Sequence, residues 1–106
     1  GKVDGRDCVI VDDIIDTAGT LAGAARALVE QGAHSVRGCF THAVLSGKAM
    51  ERLAESPVAE IAVTNTFALD PSRLSSSKIK VLSVAPLLAE AIKRTHTHSS
   101  ISSLFV

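Results

Sequence analysis

Residues 9 to 21 read Val9-Ile10-Val11-Asp12-Asp13-Ile14-Ile15-Asp16-Thr17-Ala18-Gly19-Thr20-Leu21. An apolar run closes on two adjacent carboxylates, a short segment of small and hydroxylated residues follows, and helix-forming sequence begins. These residue types suit an anionic, hydroxyl-bearing ligand such as a phosphorylated sugar. Backbone N–H groups of a turn that opens a helix hold an anion, and the positive end of the helix dipole adds to the attraction. Thr17 and Thr20 each offer a hydroxyl donor to phosphate oxygens, while Ala18 and Gly19 let the backbone approach a ligand closely. Asp12 and Asp13 stand at the carboxyl end of the predicted strand, where ligands collect in open α/β sheets. Their acceptor-only oxygens suit sugar hydroxyls or a hydrated magnesium ion.

Each residue taken singly has a plainer use. Carboxylates after a strand commonly form turns and cap helices. Thr20 alone fits a simple N-cap, and Gly19 alone marks a tight turn. The whole string resists that reading, because a plain helix start does not need three aspartates and two threonines. No lysine follows Gly19, so the segment is not an ATP-cradling loop of the Walker type, and no dinucleotide GxGxxG motif is present.

Other chemistry-bearing residues are scattered. His96 and His98 are two apart and would not face one ligand on a continuing helix. His42 falls just past a strand on the ligand-bearing edge, where a structural role is the preferred reading, and His34 is expected in solvent. No Ser/His/Asp or Cys/His arrangement can be defended from spacing, so no catalytic residue and no metal-ligand set are assigned. Cys8 and Cys39 lack CxxC spacing and read as buried, reduced thiols.

The elements that must position the loop follow from periodicity. A strand over about Cys8 to Asp12 is a continuous apolar run, as for a strand buried on both faces. Leu21, Ala24, Ala25, Leu28 and Val29 share one face of the next helix, which stops at Gly32. Strands follow over Ser35 to Thr41, Glu60 to Thr64 and Lys78 to Val84. Ser46 is placed to cap a helix that carries Met50, Leu53 and Ala54 inward and ends at Ser56-Pro57. Phe67 to Ser77 reads as a loop, and Pro86 opens a helix with Leu88, Ala91 and Ile92 inward. The serine-rich tail from His96 reads as a frayed terminus. Alternating strands and helices predict an α/β fold, a doubly wound and mainly parallel sheet with flanking helices.

Composition excludes several function classes. The chain has 106 residues, 46% of them hydrophobic, enough for one domain with a modest core. Eleven basic and eleven acidic residues balance to zero, with no dense Lys/Arg run and few aromatics, which argues against nucleic acid as a partner. No apolar stretch reaches membrane-spanning length and the start of the chain is polar, so a cytoplasmic protein without membrane attachment is expected.

The string Asp12 to Thr20 resembles the ribose-5-phosphate loop of the ribose-phosphate pyrophosphokinases, or phosphoribosyl pyrophosphate synthetases. The similarity continues through Thr41-His42-Ala43-Val44-Leu45-Ser46-Gly47, Val63-Thr64-Asn65-Thr66, Leu82-Ser83-Val84-Ala85-Pro86-Leu87-Leu88-Ala89-Glu90-Ala91-Ile92 and Ser100-Ile101-Ser102-Ser103-Leu104-Phe105. Salvage phosphoribosyltransferases carry similar loops, but the later segments in this order point to the synthetase. The resemblance implies that residues 1–106 are a type I phosphoribosyltransferase-like domain, the C-terminal half of a longer two-domain enzyme. The missing initial methionine fits an excised piece.

The implied reaction is transfer of diphosphate from ATP to the anomeric hydroxyl of ribose 5-phosphate, giving phosphoribosyl pyrophosphate and AMP for nucleotide biosynthesis. By the same resemblance, Asp16, Thr17, Ala18, Gly19 and Thr20 would hold the 5-phosphate, and Asp12 with Asp13 the ribose hydroxyls. The ATP-binding loops, a mobile lysine/arginine loop and a metal-binding histidine would lie upstream. Mg2+ would be bound mainly with ATP and by residues outside this chain, so the fragment alone is expected to be inactive. Ser100, Ser102 and Phe105 match a family site for regulatory phosphate or ADP at a subunit interface of a homo-oligomer, by resemblance a hexamer. Ser103 stands where the family often has tyrosine. The rival readings are a salvage phosphoribosyltransferase and a non-catalytic, synthetase-associated regulatory subunit.

Overall fold

The structure is a computed structural model that describes residues 2–74 and 78–105. Its elements run β1 Asp7–Ile15, α1 Gly19–Glu30, β2 Ser35–Ala43, α2 Ala49–Glu55, β3 Glu60–Thr64, α3 Pro71–Leu74, β4 Ile79–Leu82 and α4 Ala85–His96, with a closing 3-10 turn over Ser102–Phe105. The four strands pair in parallel in the order β1-β2-β3-β4. A parallel α/β sheet with flanking helices is the architecture that the alternating pattern predicts.

Strand alternation and register decide which residues meet the helices. Ile10 pairs with Gly38, Gly38 with Ile61 and Ile61 with Ile79, one row across the sheet. That face packs under α1 and α2, whose Leu21, Ala25, Ala49 and Leu53 join Val36, Phe40, Ile61 and Val63 in a single core. Right-handed crossovers that always step toward the next strand place their helices on the same side of the sheet. The opposite face, lined by Val9, Val11, Cys39 and Leu82, is open among the described residues, and Val11 is 75% exposed. Two expectations change for this reason. β1 is covered only on its Ile10 side, and Cys39 is exposed because its neighbours Gly38 and Phe40 take the inward positions.

Boundaries shift elsewhere for identifiable causes. β1 continues through both aspartates because its pairing with β2 extends to Ile15↔Ala43. α1 stops where Gly32 adopts φ +94°, a position at which any Cβ would collide with the Asp4 carboxylate. The segment predicted as a loop contains the single turn α3, begun where Asp70 Oδ1 accepts from the Ser72 amide at 2.9 Å; Ser75, Ser76 and Ser77 lie outside the described residues. α4 has the predicted amphipathic period, yet it buries no residue, and Leu88 and Ile92 are 55% and 69% exposed. The tail forms its 3-10 turn instead of fraying, with Leu104 N donating to Ile101 O at 2.9 Å.

Candidate functional site

At the carboxyl end of β1 the chain encloses a cleft of about 230 Å³ lined by Asp12, Asp16, Thr17, Ala18, Gly19 and Thr20, with Ile10, Ile14 and Phe40 as its apolar wall. β1 delivers Asp12 to the side of the sheet that carries α1, the same side as Ile10. Alternation turns Asp13 to the other side, and Asp13 is not among the lining residues. The Asp13 amide nevertheless donates to Asp12 Oδ1 at 2.8 Å.

The turn into α1 depends on Ala18, which occupies the N-cap position in the left-handed region at φ 64°, ψ 7° and is almost wholly buried. A small side chain limits the steric cost of that conformation. Thr20 is not the N-cap that its type suggests; it is the second residue of the helix, and no side chain caps the N-terminus. The first helical amide bonded back into the loop is that of Ala22, to Ala18 O at 2.9 Å. The amides of Gly19, Thr20 and Leu21 therefore have no intrahelical acceptor. Together with the helix dipole they form a donor set suited to an anion.

Behind the loop, the segment after β2 holds it in place. The Val44 and Leu45 amides donate to Ile15 O at 3.0 and 3.2 Å, and the Ser46 amide donates to Asp16 O at 3.0 Å. Ser46 Oγ also donates to Asp16 Oδ1. From α2, Arg52 Nη1 donates to Thr17 O at 3.1 Å. Sequence reading missed Ser46 and Arg52 as members of the site. Ser46 was expected to cap α2, whose N-cap is Lys48, and nothing local links Arg52 to a loop 35 residues away.

The carboxyl ends of β2 and β3 carry a separate network. His42 Nδ1 pairs with Thr66 Oγ1 at 2.8 Å and its ring meets Phe67 edge-on at 5.8 Å. Thr64 and Thr66 hydroxyls both donate to Thr41 O, at 2.5 and 3.2 Å. His42 is thus engaged in tying loop to strand. At the other end of β1, the Ser35 hydroxyl and His34 hold the Asp7 carboxyl below its ordinary value. The Asp70 carboxyl is likewise lowered, chiefly by the Ser72 amide.

A family model described as the phosphoribosyl synthetase-associated domain matches residues 1–106, the whole chain. The chain belongs to this family. Its similar relatives include proteins named ribose-phosphate pyrophosphokinase from Halalkalibacterium halodurans and Listeria ivanovii. Each is 55% identical over 105 residues, which is 99% of this chain and 33% of the relative. A crystal structure of phosphoribosylpyrophosphate synthetase from Mycobacterium smegmatis superposes with a TM-score of 0.88 at 43% identity, over 93% of this chain and 33% of that one. The chain spans about a third of the length of these relatives.

In this family member the tail residues fall in two groups. Ser100 Oγ and Ser102 Oγ lie 3.0 Å apart, while Phe105 is exposed at the end of the 3-10 turn. Ser103 accepts a hydrogen bond from Arg94, which also reaches Ser100 O at 3.1 Å and Glu90 at 3.0 Å. No group of three or more His, Cys, Asp or Glu converges among the described residues. In the cleft, one carboxylate oxygen of Asp16 is engaged by Ser46. Among the described residues no helix is long and apolar enough to cross a membrane.

Proposed function

We propose that this chain is the ribose-5-phosphate-binding part of a ribose-phosphate diphosphokinase, which transfers diphosphate from ATP to ribose 5-phosphate in the cytoplasm for nucleotide biosynthesis. The observation that carries the reading is the single cleft that gathers Asp12 with residues 16 to 20 around uncapped helix amides. In it, the Ala18, Gly19, Thr20 and Leu21 amides and the Thr17 and Thr20 hydroxyls take the 5-phosphate, and Asp12 accepts from ribose hydroxyls. The sugar is then fixed at its phosphate end, with the anomeric hydroxyl left for attack on the β-phosphorus of ATP. Reactions of this kind depend on positioning and electrostatics. ATP, Mg2+ and the groups that stabilise the transferring diphosphate belong to parts outside this chain. Inorganic phosphate and ADP at Ser100, Ser102 and Phe105, and assembly into a homo-oligomer, complete the proposal.

Calorimetric titration of the chain with ribose 5-phosphate, ribose and inorganic phosphate tests it. Ribose 5-phosphate should bind more tightly than either part, because phosphate and hydroxyl contacts are made together. Equal affinity for ribose 5-phosphate and inorganic phosphate would remove the sugar from the reading. An assay for AMP release should show no turnover by this chain alone, and magnesium-dependent turnover would refute the division of labour.

A further inference from the structure

We propose that Arg52 is a positioning residue for the 5-phosphate, acting through the peptide that joins Thr17 to Ala18; this rests on the ribose-5-phosphate reading above. Each peptide that turns an N–H toward an anion turns its carbonyl the opposite way. The carbonyl opposite the Ala18 N–H is that of Thr17, and Arg52 Nη1 donates to it at 3.1 Å. The preceding carbonyl, that of Asp16, is held in the same manner by the Ser46 amide at 3.0 Å. Two consecutive peptides at the mouth of the cleft are thus fixed from behind. The next residue, Ala18, sits at φ 64°, where an L side chain is strained. Bracing of that turn keeps the N–H groups converged before the ligand arrives, and a hydrogen bond at the carbonyl polarises the same peptide's N–H.

Charge supplies a second and independent reason. The charged residues that line the cleft are Asp12 and Asp16, both acidic. A phosphate monoester is close to a dianion at neutral pH, so the site needs positive potential from somewhere behind its lining. The Arg52 guanidinium provides it: a Cβ built on Gly19 would lie 3.9 Å from Arg52 Nη1. Arg52 is exposed on its α2 side and is not part of the core. Its placement against the loop is therefore explained by the loop and not by packing.

The test compares the unaltered chain with Arg52→Met and Arg52→Lys, each titrated with ribose 5-phosphate and with ribose at several salt concentrations. Arg52→Met should weaken ribose 5-phosphate binding about tenfold or more, the scale of one lost hydrogen bond to a charged group. It should also flatten the dependence of that affinity on salt, and leave ribose binding unchanged. Arg52→Lys, which keeps the charge but not the planar fork, should restore the salt dependence and part of the affinity. A purely structural role would not move the salt dependence. If the unaltered chain binds ribose 5-phosphate no better than ribose, the functional reading fails. If it binds well and Arg52→Met matches it in affinity and salt dependence, the role of Arg52 alone is overturned.

Discussion

Replacement of Thr20 by valine isolates one proposed phosphate contact with little disturbance of the fold. Thr20 is exposed, lies in the first turn of α1 and lines the cleft. Its hydroxyl has no hydrogen-bond partner among the described residues, in contrast to Thr95, whose hydroxyl donates to Ala91 O at 2.9 Å. Valine matches the shape and has nearly the same helix propensity, so stability should change by no more than about 0.5 kcal/mol. The cost then falls on the complex. A hydrogen bond to a charged group contributes about 1.5–3 kcal/mol, which is about a ten- to hundredfold loss of affinity. Calorimetry at fixed ionic strength with ribose 5-phosphate reads this directly, with ribose as a ligand that should not respond. Thr95→Val on α4 is the matched control and should bind as the unaltered chain does. An unchanged dissociation constant for Thr20→Val, or an equal loss in both variants, would refute the placement of the phosphate at the α1 N-terminus.

Three further outcomes are expected. Asp12→Asn should weaken ribose 5-phosphate binding while inorganic phosphate binds as well or better, because an acceptor for hydroxyls is lost together with a repelling charge; parallel losses for both ligands would contradict this. The Asp7 carboxyl, followed by NMR, should titrate below its ordinary 3.8, with Ser35→Ala moving it back up because the Ser35 hydroxyl bond at 2.6 Å is the leading cause. Its stabilisation is full above about 3.8 and is lost as pH falls through the lowered native value; a midpoint at or above 3.8 would be inconsistent. In the longer protein of the proposal, Ser100→Ala with Ser102→Ala should blunt the response to phosphate and ADP without altering ribose 5-phosphate affinity. A coupling of about 1–3 kcal/mol makes that loss visible in a phosphate titration, and an unchanged response would leave the tail a structural turn.

What the sequence made legible was local. The β3 limits, the stop of α1 at Gly32 and the collection of Asp12 with residues 16 to 20 follow from alternation, from left-handed backbone and from a strand–loop–helix order. Less was legible where a partner from elsewhere decides the outcome. Asp12 and Asp13 look equivalent as a pair, and only the pleat of β1 beneath α1 separates them. Ser46 resembles a helix cap until β2 brings it beside Asp16. Leu88 and Ile92 have the spacing of an inward face, but spacing cannot show whether the chain offers that face a surface.

The clearest case of this division is the sign of the charge at the loop. By composition, residues 12 to 20 carry three carboxylates and no cation, which is the wrong balance for holding a phosphate. Orientation corrects it. One oxygen of Asp12 accepts from the Asp13 amide, and Asp16 accepts from Ser46. Asp13 leaves the cleft by strand alternation, so two of the three carboxylates are engaged and the third lies on the other side of the sheet. In the proposed reading, backbone amides, which no residue type records, face the phosphate beside the Thr17 and Thr20 hydroxyls, and the balancing cation comes from α2 through Arg52. On that reading, attraction for an anion is a property of how two segments far apart in sequence meet at the end of β1. It should be lost by variants that leave every lining residue in place but release the loop from behind, as Arg52→Met does.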